Sequence, residues 1–177
     1  SLVLKNNIAT IAFIDTSSSN IIEIIDTPSI NLPLELDRIN PAEIISSEDQ
    51  PAQINEFIIT NSNESFSNVA NSRKKLLSHF NIHSLNSFDI ANNDSQIIAC
   101  AALITYLSKL HKQSAAIISN IRTTNLSNYM QLDKQTRRNL EIYNGGIDGI
   151  EQHSLLAILD KTQTSMGARL MRKWIGQ

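Results

Sequence analysis

The residue best placed for catalysis is Asp15, which ends a run of strand-forming residues. A strand-borne aspartate near the first hairpin of an α/β domain could begin a nuclease site, in which several carboxylates hold two metal ions about 3.5–4 Å apart. The nearest candidate partners are Glu23, Glu48, Asp49 and Asp89. None of them forms a recognisable motif with Asp15. The simpler interpretation is that Asp15 caps the adjacent TSSS turn with its carboxylate.

Two other residue types could also do chemistry. His79 and His83 are four residues apart, the spacing that places two imidazoles on one helical face, as in zinc sites. Asn81 indicates that the helix ends there, and no Glu or Cys supplies an obvious third ligand, so histidines at an exposed helix end are favoured. Cys100 lies in an apolar segment without a neighbouring cation, which is typical of a small core residue.

A basic cluster near the C-terminus is the candidate nucleic-acid contact. Its members are Arg169, Arg172 and Lys173. Arginine side chains match phosphate oxygens, but affinity for DNA needs several contacts at once. The alternative, which we favour, is a solvated helix face, or ion pairs with Asp133, Glu141 and Asp160.

Hydrophobic residues share the same C-terminal segment. Met166, Leu170 and Trp174 recur at every fourth position, which predicts one apolar face of a helix. An aromatic stacking site would need neighbouring exposed aromatic residues. The spacing therefore predicts core packing, with incomplete cover if neighbouring helices are absent.

The composition limits the possible functions. The chain has 177 residues, of which 41% are hydrophobic, and a net charge of −2, so it can form a core but has no overall basic field to attract nucleic acid. A single cysteine excludes an intrachain disulfide and suits a reducing compartment. No G-x-x-x-x-G-K-[ST] loop is present. The longest apolar run, residues 97–104, is too short to cross a bilayer, and no targeting signal is recognisable.

These residues must be positioned by a mixed set of elements in the first half of the chain. Isoleucine-rich runs and turn signals predict strands at residues 2–4, 8–15, 20–26, 42–46 and 57–60. Helices are predicted at residues 33–39, which open with Pro33, and at the amphipathic segment 65–80. A helix between strands predicts an α/β or α+β domain.

The second half is predicted to be helical. Residues 96–111 follow a helix-start signal at residues 92–95 and are apolar nearly all round, which is typical of a helix buried between layers or domains. We place a domain boundary near residue 93. Further helices are predicted after Asp133, after Ser154 and after Ser165, each residue acting as a cap.

Two C-terminal segments carry a family signature. Residues 132–142, LDKQTRRNLEI, follow the pattern L-D-x-x-T-x-R-N-L-E-[IL], and residues 154–175 follow S-L-L-x-[LV]-L-D-x-[TC]-x-T-P-M-G-x-R-x-L-x-x-W. Both resemble the core domain of the MutS family of DNA mismatch-repair proteins. Ser165 replaces the usual proline, and both residues suit a helix start. Met171 stands where leucine is common.

Two N-terminal segments resemble the connector domain of the same family. They are residues 9–24, ATIAFIDTSSSNIIEI, in which Ala12 and Asn20 depart from the pattern, and residues 40–49, NPAEIISSED. The resemblance implies an α/β, ribonuclease-H-like connector domain at residues 1–93. An all-α segment, the start of the core/lever domain, would follow at residues 94–177 and be truncated there.

The family resemblance also implies a function. In this family the connector is not a nuclease, so we expect a non-enzymatic fragment. It would relay signals between mismatch-binding and ATPase domains, both absent here, and dock a MutL-type protein. The resemblance implies no cofactor in this fragment. The parent protein would bind ATP or ADP with magnesium and mismatched double-stranded DNA, and would form a homodimer in the bacterial cytoplasm, near the nucleoid and without a membrane. The alternative is a ribonuclease-H-like, metal-dependent nuclease using Asp15.

Overall fold

The structure is a computed structural model that describes residues 1–16, 19–47, 57–62, 65–88, 90, 92–110, 112–126, 130 and 132–176. The chain divides into two compact units, Ser1–Leu126 and Ser127–Gln177. The first unit contains strands and helices, and the regular elements of the second are helical.

A mixed six-stranded sheet forms the centre of the first unit. Its strands are β1 (Leu2–Lys5), β2 (Ile8–Phe13), β3 (Ile21–Pro28), β4 (Ile44–Ser46), β5 (Ile59–Asn61) and β6 (Asn120–Thr123). Their order is β5-β4-β1-β2-β3-β6. The first three strands are antiparallel to one another, β4 runs parallel to β1, β5 to β4, and β6 to β3.

Helices cover both faces of this sheet. They are α1 (Leu32–Ile39), α2 (Val69–Phe80), α3 (Asp94–Leu110) and α4 (Lys112–Ala116). Side chains alternate between the two faces of each strand. One face packs against α1 through a cluster that includes Ile11 and Leu36, and the other packs against α2 and α3 through a larger cluster that includes Ile24 and Ile97. The first unit is therefore a three-layer α/β domain.

Local sequence signals account for most of these elements. Asn6 and Asn7 join β1 to β2 with φ angles of 52° and 62°, the left-handed conformation that a two-residue hairpin turn requires. The predicted hairpin is confirmed, with β2 and β3 paired from Ile8 opposite Pro28 to Phe13 opposite Glu23. Helix α1 ends at Asn40 in the left-handed conformation.

Helix α2 begins later than predicted. The amphipathic pattern extends back to residue 65, but the helix starts at Val69. The Asn68 side chain accepts a hydrogen bond from the backbone N–H of Asn71 at 2.9 Å, which satisfies one of the free N–H groups of the first turn. A cap therefore sets the start of the helix more strongly than the hydrophobic periodicity does.

The prediction of helices only after residue 96 is wrong, because residues 120–123 form strand β6. Only Ile121 of this strand is buried, so its four residues carry no recognisable alternating pattern. Ile121 lies opposite Ile22 of β3. The strand extends the sheet of the first unit beyond α3, so the compact division falls after Leu126 and not near residue 93.

A hydrogen-bonded group around Asp26 ties α3 to the sheet. The Asp26 carboxylate accepts hydrogen bonds from the Thr10 hydroxyl at 2.6 Å, the Asn93 side-chain amide at 3.1 Å and the Gln96 side-chain amide at 2.7 Å. Asn93 in turn accepts from the backbone N–H groups of Ser95 and Gln96, at 3.1 and 3.3 Å. One carboxylate thus links two strands with the first turn of α3.

The second unit is small and only partly closed. Its helices are α5 (Lys134–Asn139), α6 (Leu155–Leu159) and α7 (Ser165–Ile175). Between α5 and α6 the chain folds back, and the backbones of Gly145 and Ile150 exchange two hydrogen bonds of 3.0 Å. Ile142 and Leu156 are the buried hydrophobic residues among those described in this unit. A side chain at Gly145 is excluded, since its Cβ would lie 2.0 Å from the His153 carbonyl oxygen.

We predict that Asp26→Ala lowers the free energy of unfolding by about 2–3 kcal/mol, because three donors lose a charged acceptor and Gln96 is buried. Urea unfolding followed by circular dichroism measures the change. Asp26→Asn, which keeps one carbonyl acceptor, is expected to cost less. An Asp26→Ala variant as stable as the parent chain would contradict the role of this group.

Candidate functional site

The three predicted cations lie on α7 and are exposed. The Thr164 hydroxyl caps this helix by accepting a hydrogen bond from the backbone N–H of Gly167 at 3.1 Å. The predicted cap, Ser165, is instead the first helical residue. Both residues suit a cap by type, and the structure places the cap one residue earlier.

Arg172 is held by two residues outside its helix. Its Nη1 donates to Oε1 of Glu151 at 2.8 Å, and its guanidinium carbon lies 4.8 Å from the centre of the Tyr143 ring. We call Glu151, Arg172 and Tyr143 the Arg172 cluster. Arg169 and Lys173 also have interaction partners of their own. The basic face is therefore exposed but already engaged.

The acids predicted to pair with these arginines have other contacts. Asp133 accepts the backbone N–H of Thr136 at 2.6 Å, Glu141 that of Gly146 at 2.9 Å, and Asp160 that of Thr162 at 2.9 Å. The backbone hydrogen bond from Thr136 lowers the pKa of Asp133. The hydroxyl of Thr162 is the first cause that lowers the pKa of Asp160. The predicted partner of Arg172 was thus missed, because Glu151 lies 21 residues away.

The prediction that Met166, Leu170 and Trp174 are core residues is wrong for the unit as it stands. Their exposed fractions are 59%, 45% and 62%. The four-residue spacing does place them along one stripe of α7, but no residue of this helix is buried. Periodicity identifies an apolar face and does not show what covers it.

The carboxylates proposed for a nuclease site do not converge in the described part of the chain. Asp15 is exposed, and its backbone carbonyl accepts from Ser19 at 2.9 Å. Glu23 is buried on β3. Three other candidates, Glu48, Asp49 and Asp89, lie outside the described residues. Among the residues described, no group of three His, Cys, Asp or Glu could hold a metal ion.

The histidine and cysteine candidates have structural surroundings. Helix α2 ends at Phe80, so His83 falls outside it, and Nε2 of His79 lies 3.3 Å from the backbone carbonyl of Ile118. Cys100 is buried in α3, and this burial raises the pKa of its thiol to about 12. A thiol with that pKa is almost fully protonated at neutral pH, so Cys100 is not an activated nucleophile.

The two units coincide with two family domains. Residues 1–127 match the family model described as MutS domain II, and residues 135–177 match that described as MutS domain III. These ranges agree with the division at Leu126, which was found from the coordinates alone. An α/β unit and a helical unit of these two domains define the class of protein. The chain belongs to the MutS family.

Its relatives carry one name. Over 180 residues it is 32% identical to the DNA mismatch repair protein MutS of Dehalococcoides mccartyi (strain ATCC BAA-2266 / KCTC 15142 / 195), covering 100% of this chain and 21% of that protein. The MutS of Thermosynechococcus vestitus is 32% identical over 99% of the chain, with 22% of its own length covered. That of Halothermothrix orenii is 37% identical over 81%, with 17% covered. The chain thus spans about a fifth of these relatives. Within the described residues, no helix is long and apolar enough to cross a membrane.

We predict that Cys100 reacts with an aromatic disulfide reagent at pH 8 roughly a thousandfold more slowly in the folded chain than in guanidinium, because the folded thiolate population is that much smaller. Absorbance of the released thiol gives the rate. Ser78→Cys in a Cys100→Ser background, at an exposed position of α2, is the control for access. Equal rates in folded and unfolded protein would contradict the buried thiol.

We predict that Trp174→Ala changes the free energy of unfolding by less than about 1 kcal/mol, because most of the indole is already in water. Leu156→Ala, which removes a buried side chain of the same unit, is expected to cost about 2–4 kcal/mol. Urea unfolding by circular dichroism measures both. A cost for Trp174→Ala as large as that of Leu156→Ala would show that the stripe is covered.

Proposed function

We propose that this chain is the connector and the beginning of the core of a MutS-type mismatch-repair protein, without catalysis of its own. It relays the nucleotide-dependent state between mismatch-binding and ATPase domains, which lie outside this chain, and docks a MutL-type partner. The observation that carries the proposal is the match of both structural units to MutS domains II and III. The sequence resemblance in the connector segments supplies the partner.

The layered packing of the first unit supports a relay by rigid-body movement. Helix α3 packs on α2 and on strands β1 and β2, and most of its first eleven residues are buried. α1 packs on the opposite face of the sheet. Tightly packed layers move as one body and do not bend continuously, so a displacement at one end reaches the other.

A second part of the proposal concerns the fold. We assign the α/β unit to the ribonuclease-H-like class. The support is the order β3-β2-β1-β4-β5, in which three antiparallel strands are followed by two parallel ones, together with helices on both faces. The nuclease alternative has no such support, because the matched domains and the described carboxylates do not point to it.

The whole protein is proposed to act as its relatives' name states. It binds mismatched double-stranded DNA and ATP or ADP with magnesium, forms a homodimer, and works in the bacterial cytoplasm at the nucleoid. This fragment itself holds no cofactor in the proposal. Residues 127–177 include seven basic and five acidic residues, whereas residues 1–126 include eight and twelve. That difference favours Arg169, Arg172 and Lys173 as the contact with DNA phosphates, if the fragment makes one.

We predict that the 177-residue chain binds the MutL-type protein of the same organism in titration calorimetry and does not bind a 30-base-pair duplex at about 0.15 M salt, where a few exposed cations give little affinity. Heat from the partner alone supports a docking and relay module. Heat from DNA without heat from the partner would contradict it.

The DNA titration has its own control in the basic face of α7. If the duplex binds at low salt, Arg169→Gln and Lys173→Gln should each reduce the slope of log K against log salt by about one unit per lost phosphate contact. Lys74→Gln, an exposed cation on α2, should leave the slope unchanged. A slope that responds only to Lys74→Gln would move the contact away from α7.

A further inference from the structure

The contacts that attach α7 to the rest of its unit concentrate at its last turn. Arg172 reaches Glu151 and the Tyr143 ring, and the Tyr143 hydroxyl lies 3.4 Å from the Arg172 carbonyl oxygen, to which it donates. Gly176 is equally close, because a Cβ there would lie 2.0 Å from the Tyr143 hydroxyl. Arg172 therefore contributes both its guanidinium and its carbonyl to the same anchor.

The platform that receives Arg172 is held independently of α7. The backbone carbonyls of Glu141 and Ile142 accept from the N–H groups of Leu155 and Leu156 at 2.8 and 3.0 Å. Ser154 caps α6 and also donates to the Glu151 carbonyl at 2.6 Å. Tyr143 and Glu151 are thus fixed by the segment that leads into α6, whether or not α7 is docked on it.

Little else holds the helix in place. None of the eleven residues of α7 is buried, and its apolar stripe is exposed. Isolated helices shorter than about 12–15 residues are marginal in water, so α7 depends on its docking contacts for its order. The Glu151 and Arg172 side chains are 62% and 51% exposed, so dissolved ions can screen their attraction and compete for it.

We propose that the Arg172 cluster is an electrostatic latch that keeps α7 closed on residues 141–154 and releases it when salt or a phosphate anion engages the guanidinium. Arg172 is then a positioning residue for α7. Closure fixes the direction in which the stripe of Met166, Leu170 and Trp174 is presented, and release frees it. The inference stands on the second unit alone and does not depend on partner docking by the first.

Hydrogen exchange of the α7 amides in the 177-residue chain tests the latch. At low ionic strength, Arg172→Gln and Glu151→Gln should each raise exchange in residues 169–176 about three- to tenfold, the range for one exposed ion pair with a cation–π contact. The double variant should show no further increase. In the unaltered chain, 1 M sodium chloride or millimolar inorganic phosphate should produce the same rise, whereas in Arg172→Gln neither should.

Matched variants separate the latch from a loss of structure. Lys161→Gln removes one exposed charge outside α7 and should leave exchange unchanged. Arg172→Lys keeps the charge and should restore part of the protection. Tyr143→Leu removes the ring and should raise exchange, while Tyr143→Phe keeps the ring and should raise it less. Salt-independent protection of α7, additive effects in the double variant, or an equal rise across α6 would each overturn the proposal.

Discussion

Helix α3 has no polar side to present to water, and the first unit is organised around that constraint. Its buried residues include Ile97, Cys100 and Ile104, and it must be covered on one side by the sheet and on another by α2. Burying such a helix removes several large side chains from water at about 25 cal/mol per Å² of apolar surface, which outweighs the other local preferences. The Asp26 group then sets where along the sheet the helix begins.

The sequence predicts elements well where one local signal is sufficient. The isoleucine-rich hairpin, the short helix opened by Pro33 and the helix covering residues 96–110 all follow from composition, turns and periodicity. Strand β6 was missed because only Ile121 is buried, so the strand is specified by its pairing with β3 and not by its own residues. The domain boundary moved with it, since the partner strand lies about a hundred residues earlier.

The candidate site was predictable by residue type and not by environment. Arg169, Arg172 and Lys173 share α7 as expected, but Glu151 and Tyr143 reach Arg172 from a segment without a strong pattern. The stripe containing Trp174 illustrates the same limit, because spacing shows that residues face one way and burial depends on what they face. The family motifs were the most specific signal, since they covered both units and agreed with the division at Leu126.

The position of β6 at the end of the first unit has a consequence for how the chain forms. Asn20, just before β3, donates to Ser119, just before β6, across 99 residues of sequence. A ribosome releases the hairpin of β2 and β3 long before residues 120–123, so the outer edge of β3 stays without its neighbour while about a hundred residues are added. Unpaired strand edges promote association between chains. The nascent protein therefore passes through a period in which the edge of β3 is its most vulnerable surface.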